Sequence, residues 1–191
     1  MGKLTKKQLN MTFLITCAGS KRQPTNNPSS LQQLSFHRDL GEAREQLIAL
    51  NPHLQLNWEL TIPAWQLYSG PRSKLYPQIT VANWTKNCIE IRILSALFGW
   101  IRHTDLVPYY DLKMSDNIPQ TGQKVFKYWN NQNLLNQFVG QNDIDLLSGD
   151  YRKAVHGNTN PIATIPNAQF TDYGVQKGIW LNNQLNNIIC N

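Results

Sequence analysis

Residues 11–16, MTFLIT, form a short β-branched and aromatic run, the pattern of a buried strand. The stretch after it, CAGSKRQPTNNPSS, is rich in Gly, Pro, Asn and Ser and predicts a loop. Over 38–50, Leu40, Ala43, Leu47 and Leu50 recur at spacings of three, four and three, as one face of an amphipathic helix requires, and Pro52 ends it. In CIEIRIL, 88–94, Ile89, Ile91 and Ile93 alternate with Glu90 and Arg92, which is the period of a strand. A helix is predicted over 122–139 with Val125, Trp129, Leu135, Phe138 and Val139 inward, although its many Asn are poor helix formers. Short strands are predicted at 143–148 and 161–166, and a last helix over 175–188. Strands alternating with helices give an α/β fold: a single compact domain over 11–191, with a mixed β-sheet flanked by helices and a basic tail at 1–10.

Composition sharpens this picture. The 191 residues are 41% hydrophobic, enough for a real core. Only 16% are charged, yet the net charge is +6, so the excess base can form a patch suited to a long anionic partner such as DNA. The three cysteines Cys17, Cys88 and Cys190 lie far apart and form no CxxC pair, so no disulfide framework is expected and a reducing cytoplasm fits. His37, His53, His103 and His156 are scattered as well, which argues against a metal site; no cofactor is expected. No run approaches the roughly 20 apolar residues of a membrane span. KKQLNMTFLITC resembles a lipoprotein signal, but its apolar part, Met11 to Ile15, is shorter than the roughly 7–15 residues such a core needs.

Three polar clusters follow predicted strands, and ligand sites of α/β sheets form at the carboxyl ends of strands. The first is TCAGSKR. Its small residues let backbone N–H groups approach an anion, Lys21 and Arg22 supply charge, and Cys17 or Ser20 can contact or attack a ligand. An ordinary Gly/Ser turn has the same composition. The second is ILSALFGWIRHTDLVPYYDLKM, 93–114. There Ser95 and Gly99 leave room at the sheet end, Arg102 and Asp105 share a face if the segment is helical, and Tyr109 and Tyr110 can stack or donate. A structural ion pair between Arg102 and Asp105 is an equal alternative. In the third, LLSGDYRKAVHG, Ser148 ends a strand before Asp150, Tyr151 and Lys153, either as a helix N-cap or as a ligand contact.

The second and third clusters resemble the peroxide stress protein YaaA family. LSALFGWIRHTDLVPYYDLKM is similar to the family's L-S-G-L-Y-G-x-L-R-P-x-D-L segment leading into P-Y-x-L-x-M, and DLLSGDYRKAV to its N-L-A-S-x-E-Y-x-K-x-V. FLITCAGSK resembles the first strand and lysine loop, which puts Lys21 on the family lysine. LYSGPRSKLY resembles the Y-x-G stretch with Tyr68. Shorter relatives carry C-x-x-S-K, P-A-x-x-L-Y and I-L-S-A, all found here in order. His103 and Thr104 replace the family proline and its neighbour, and either Tyr109 or Tyr110 stands for the family tyrosine. The resemblance implies a YaaA-like α/β fold, a positively charged cleft that binds DNA, a helix-hairpin-helix element and a role in limiting oxidative damage. The segment before Tyr68 is too short to match the longer family's helical insert, where that hairpin element would fall.

Two functions follow. One is DNA binding in a basic cleft holding Lys21, Arg22, Arg102, Arg152 and Lys153 with interleaved tyrosines. The other is an enzyme acting on a nucleotide, nucleobase or other small anion. In that reading Cys17, Asp105 and Tyr110 are candidate nucleophile, base and acid, Lys21 and Arg102 contact the anion, and Asp105 orients. The candidate contact set is Ser20, Lys21, Arg22, Tyr68, Ser95, Arg102, Asp105, Tyr109, Tyr110, Ser148, Tyr151 and Lys153. An interaction module without chemistry is the plainer possibility. Both sharper readings require Lys21, Arg102 and Lys153 to meet in one hollow.

Overall fold

A computed structural model describes residues 11–168, 170 and 174–190; the basic tail at 1–10 lies outside the described residues. In chain order the elements are β1 (Thr12–Thr16), β2 (Thr25–Asn26), α1 (His37–Ala49), β3 (Leu60–Pro63), α2 (Ala64–Leu67) and α3 (Val81–Trp84). They continue as β4 (Glu90–Ser95), β5 (Gly99–Arg102), β6 (Leu106–Pro108), α4 (Val125–Gln132), β7 (Ile144–Asp145), α5 (Gly149–His156) and α6 (Val175–Asn186).

One sheet has the order β5-β4-β1-β7, with β4 and β7 parallel to β1 and β5 antiparallel to β4. It is therefore mixed. A second, antiparallel sheet has the order β2-β3-β6. Strand β1 is covered on both faces, with Thr12, Phe13, Leu14 and Ile15 all buried, as expected of a central parallel strand. Register runs from Thr12 opposite Glu90 to Thr16 opposite Leu94, so the carboxyl ends of β1, β4 and β7 lie along one edge. That edge carries the site.

A three-residue loop turns β4 into β5. Ser95 pairs with Gly99, which takes a left-handed φ of 63°. The Ser95 hydroxyl accepts the Phe98 N–H at 3.0 Å. On the core side Trp100 and Trp129 are fully buried and donate their indole N–H groups to the carbonyls of Leu135 (2.9 Å) and Ala96 (2.8 Å).

Several elements are shorter than the pattern suggested. The helix predicted over 122–139 is the eight-residue α4, because Asn133 turns left-handed at φ 51° and ends it; a single 3₁₀ turn follows at Asn136–Phe138. Of 143–148 only Ile144–Asp145 pairs, and 161–166 contributes one isolated bridge, Ile144 to Thr164. The segment holding Arg102 and Asp105 is not helical but the turn from β5 into β6. Asp105 N–H bonds the Arg102 carbonyl there at 3.1 Å.

The expected lack of a disulfide is corrected. Cys88 and Cys190 are bonded across 102 residues, and Cys17 is the free thiol. Their spacing carried no signal because α6 brings them together. The Asn83 amide donates to the side-chain carbonyls of Asn182 (2.7 Å) and Asn186 (2.8 Å), and the Lys86 ammonium to the Ile188 carbonyl (3.1 Å). Among the described residues no helix is long and apolar enough to cross a membrane.

Candidate functional site

Cys17 is the first residue past β1. Its N–H bonds the Leu94 carbonyl at 3.0 Å, which fixes it at the carboxyl edge of the sheet, and it is 7% exposed. Two distant segments deliver hydroxyls to it. The Tyr151 hydroxyl, from the first turn of α5, stands 3.1 Å from the Cys17 sulfur. The Tyr110 hydroxyl lies 3.8 Å from the same atom, 2.9 Å from the Tyr68 hydroxyl and 2.8 Å from that of Ser95.

Hydrogen-bond accounting gives this cluster a direction. Ser95 already accepts from Phe98 N–H. The assignment that uses every buried hydroxyl proton has Tyr68 and Ser95 donating to Tyr110, and Tyr110 donating to sulfur. Tyr151 then supplies the second donor. Burial, reinforced by a thiolate charge at Cys17, pushes the Tyr68, Tyr110 and Tyr151 phenols up, so they stay neutral donors.

The Lys21 ammonium caps this floor, 4.4 Å from the centre of the Tyr110 ring. Burial lowers its pKa; Cys17, Asp111 and Asp116 pull it back up and Lys113 adds to the lowering. Its loop is clamped from behind. Arg22 N–H bonds the Leu67 carbonyl (2.8 Å), Arg22 Nε the Ser69 carbonyl (2.9 Å), and Arg72 N–H the Ser20 hydroxyl (3.0 Å). Gly70 is what allows the approach, since a Cβ there would lie 2.5 Å from the Lys21 nitrogen.

Above the thiol opens a cleft of about 410 Å³ whose walls include Cys17, Gly19, Lys113, Met114, Ser148, Asp150 and Tyr151. Lys113, Gly149 and Asp150 were not among the candidate contacts read from the sequence, although all three lie inside the quoted motifs. Among the described residues no group of His, Cys, Asp or Glu could hold a metal ion.

The other sequence candidates are placed as follows. Tyr110 turns into the cluster, whereas Tyr109 is 40% exposed. Ser148 is the N-cap of α5, makes no side-chain cap bond and lines the cleft. Lys153 lies on the outer side of α5, paired with Asp150 at 3.1 Å and 5.3 Å from the Phe126 ring.

Arg102 is elsewhere. It pairs with Arg92, three positions back from Ser95 along β4, about 10 Å toward the opposite sheet edge. Its guanidinium lies 3.6 Å from Glu90. Asp105 accepts from Ser35 N–H (2.9 Å), the Ser35 hydroxyl (2.7 Å) and Arg102 N–H (3.1 Å), a set of bonds that ties loops together. The structure thus joins Lys21, Tyr68, Ser95, Tyr110 and Tyr151 around Cys17, sets Lys153 at the rim, and leaves Arg102 and Asp105 apart.

A family model described as peroxide stress protein YaaA matches residues 11–180, which span every element of this site. The chain is 29% identical over 157 residues to a UPF0246 protein of Legionella pneumophila strain Corby, covering 71% of this chain and 59% of the relative. It is 35% identical over 72 residues to a UPF0246 protein of Francisella tularensis subsp. novicida, covering 35% of this chain and 28% of the relative. The matched part of the chain therefore spans well under two thirds of the length of these relatives.

Proposed function

We propose, for a chain that belongs to the peroxide stress protein YaaA family, that the cleft over Cys17 is its working site and that a small polar molecule binds there against the thiol. One observation carries the reading: two phenol hydroxyls lie 3.1 and 3.8 Å from one sulfur on the floor of a cleft. Donors fixed before reaction stabilise a sulfur anion without reorganising, which is how preorganised sites favour charge. Lys21 adds positive charge beside them. A hollow of this volume suits a nucleotide, a nucleobase or another small anion, not a duplex. In this reading the chain's part in the peroxide stress response runs through this site.

The test is a thermal-shift and turnover screen of nucleotides and nucleobases, read together with alkylation of Cys17. A ligand of the site stabilises the protein and shields Cys17. A ligand that stabilises the protein yet leaves alkylation unchanged would place the working site elsewhere.

A second reading, DNA binding, is favoured by charge. Arg22, Arg72, Lys113 and Lys153 are exposed: Lys113 lies on the cleft wall, Lys153 pairs with the wall residue Asp150, and Arg22 and Arg72 bond the segments that hold the Lys21 loop. Four phosphate contacts predict a salt slope of about −3.6, roughly a hundredfold loss of affinity between 50 and 200 mM salt. Undetectable binding to a mixed-sequence duplex at low salt sinks it.

A further inference from the structure

A file of aromatic side chains runs from the surface to the thiol. Trp65 of α2 is partly exposed and stacks on Trp84 of α3, with ring centroids 5.7 Å apart and planes 13° from parallel. Trp84 stacks in turn on Tyr76, at 5.6 Å and 10°. The Tyr76 ring lies 5.7 Å from that of Tyr68, whose hydroxyl meets the Tyr110 hydroxyl at 2.9 Å. The Tyr110 hydroxyl ends the file 3.8 Å from the Cys17 sulfur. Tyr68, Tyr76, Trp84 and Tyr110 are all buried.

Core packing alone asks for apolar volume, which phenylalanine or leucine supplies without a polar atom to satisfy. Every ring of this file is instead an indole or a phenol, the side chains that, with thiols, give up a single electron most readily. Among the described residues the other ring contacts include a phenylalanine or a histidine, or stop at one pair as Tyr128 with Trp129 does.

The order of the rings gives the file a direction. Indoles stand outermost, phenols follow and sulfur comes last. In neutral water an indolyl radical oxidises a phenol and the reverse is uphill; a phenoxyl radical in turn takes an electron from a thiolate. An oxidising equivalent that reaches Trp65 therefore runs downhill toward Cys17.

We propose that this file is an electron path, through which Cys17 gives one electron to a one-electron oxidant that meets the surface at Trp65 and never enters the cleft. The oxidant gains the electron and the Cys17 thiolate becomes a thiyl radical, with no proton left over. The Lys21 ammonium, 4.4 Å from the Tyr110 ring, disfavours a cation on that ring. Tyr110 thus loses its electron together with its hydroxyl proton, which sulfur accepts. Sulfur returns that proton to the phenoxyl oxygen as it gives up its own electron. This goes beyond the reading of the cleft as a ligand site: it needs no ligand there, and shielding of Cys17 by a ligand succeeds or fails independently of it.

The experiment mixes the full chain with tris(bipyridyl)ruthenium(II), a cobalt(III) ammine as electron acceptor and a nitrone spin trap. A light flash makes ruthenium(III), a one-electron oxidant too wide for a cleft of about 410 Å³. Peptide mass spectrometry should then find the trap bonded to Cys17. Trp84→Phe and Trp65→Phe should each lose that adduct. Trp180→Phe removes a partly exposed indole outside the file and should keep it. Alkylation of Cys17 at the native rate in the dark shows that the site is intact in each variant, and Trp65→Phe, at the surface end, decides the matter even where Trp84→Phe does not fold. A native chain without the adduct, or full labelling in Trp65→Phe, overturns the path. Equal loss in Trp180→Phe overturns it as well, because the electron would then leave by a route outside the file.

Discussion

The Tyr151 hydroxyl meets the Cys17 sulfur at 3.1 Å, tying the end of β1 to the start of α5 across 134 positions of chain. Tyr151→Phe keeps the ring and removes one donor. A hydrogen bond to a charged acceptor contributes about 1.5–3 kcal/mol, part of which is offset because a less stabilised thiolate is more nucleophilic. Alkylation of Cys17 at neutral pH should slow about three- to tenfold, and less for Tyr110→Phe with its longer 3.8 Å contact. Unchanged rates in both variants would mean that the phenol protons point elsewhere.

Gly70 and Gly19 form a matched pair for the lysine loop. A Cβ on Gly70 would meet the Lys21 nitrogen and the Ser20 carbonyl carbon at 2.5 Å, both backbone atoms that cannot step aside; Gly19 has open space around it. Gly70→Ala should cost about 1–3 kcal/mol, lowering the melting temperature by several degrees, while Gly19→Ala stays within about 0.5 kcal/mol. Equal melting temperatures would show that the loop is not held where the structure has it.

The same contrast separates what sequence revealed from what it hid. Ile89, Ile91 and Ile93 and the Leu40–Leu47 spacing each obey one period, MTFLIT is a compact apolar run, and the strands and helix they predicted are present. Arg102 and Asp105 are three apart, a spacing that serves a helical face and a tight turn equally well. Gly99 decides it, since its left-handed turn sends β5 back along β4 and carries Arg102 away from Ser95. Lys177 was invisible for another reason. It sits in the polar string VQKGIWLNNQLN, and its burial comes entirely from docking.

Arg102→Ala should therefore change little. It removes an exposed ion pair with Glu90, a contact in the range of about 0–1 kcal/mol. Asp105→Ala strips the acceptor from Ser35 and from Arg102 N–H and should be the more destabilising by about 1–3 kcal/mol. Neither should alter Cys17 alkylation. A large loss of Cys17 reactivity in Arg102→Ala would return that arginine to the site.

The Cys88–Cys190 bond closes a loop of 102 residues, and such cross-links typically stabilise by about 2–4 kcal/mol. Cys190→Ser should melt earlier than the native chain by several degrees. A reducing agent should lower the native melting temperature to the same value and leave the variant unmoved. An effect of reductant on Cys190→Ser would trace the change to something other than this bond.

Lys177 gives stability a pH dependence of defined sign. Burial brings its ammonium down to about 8 from 10.5, with Arg152 lowering it further and Asp145, which also faces His156, raising it. Between these two values the unfolded chain holds a proton that the folded chain has released, so this residue's contribution to stability rises with pH through that window. Lys177→Arg keeps its charge throughout, so its melting temperature should not show that rise. Melting curves at a series of pH values between about 8 and 10.5 check it: an identical pH profile in Lys177→Arg would assign the titration to another group.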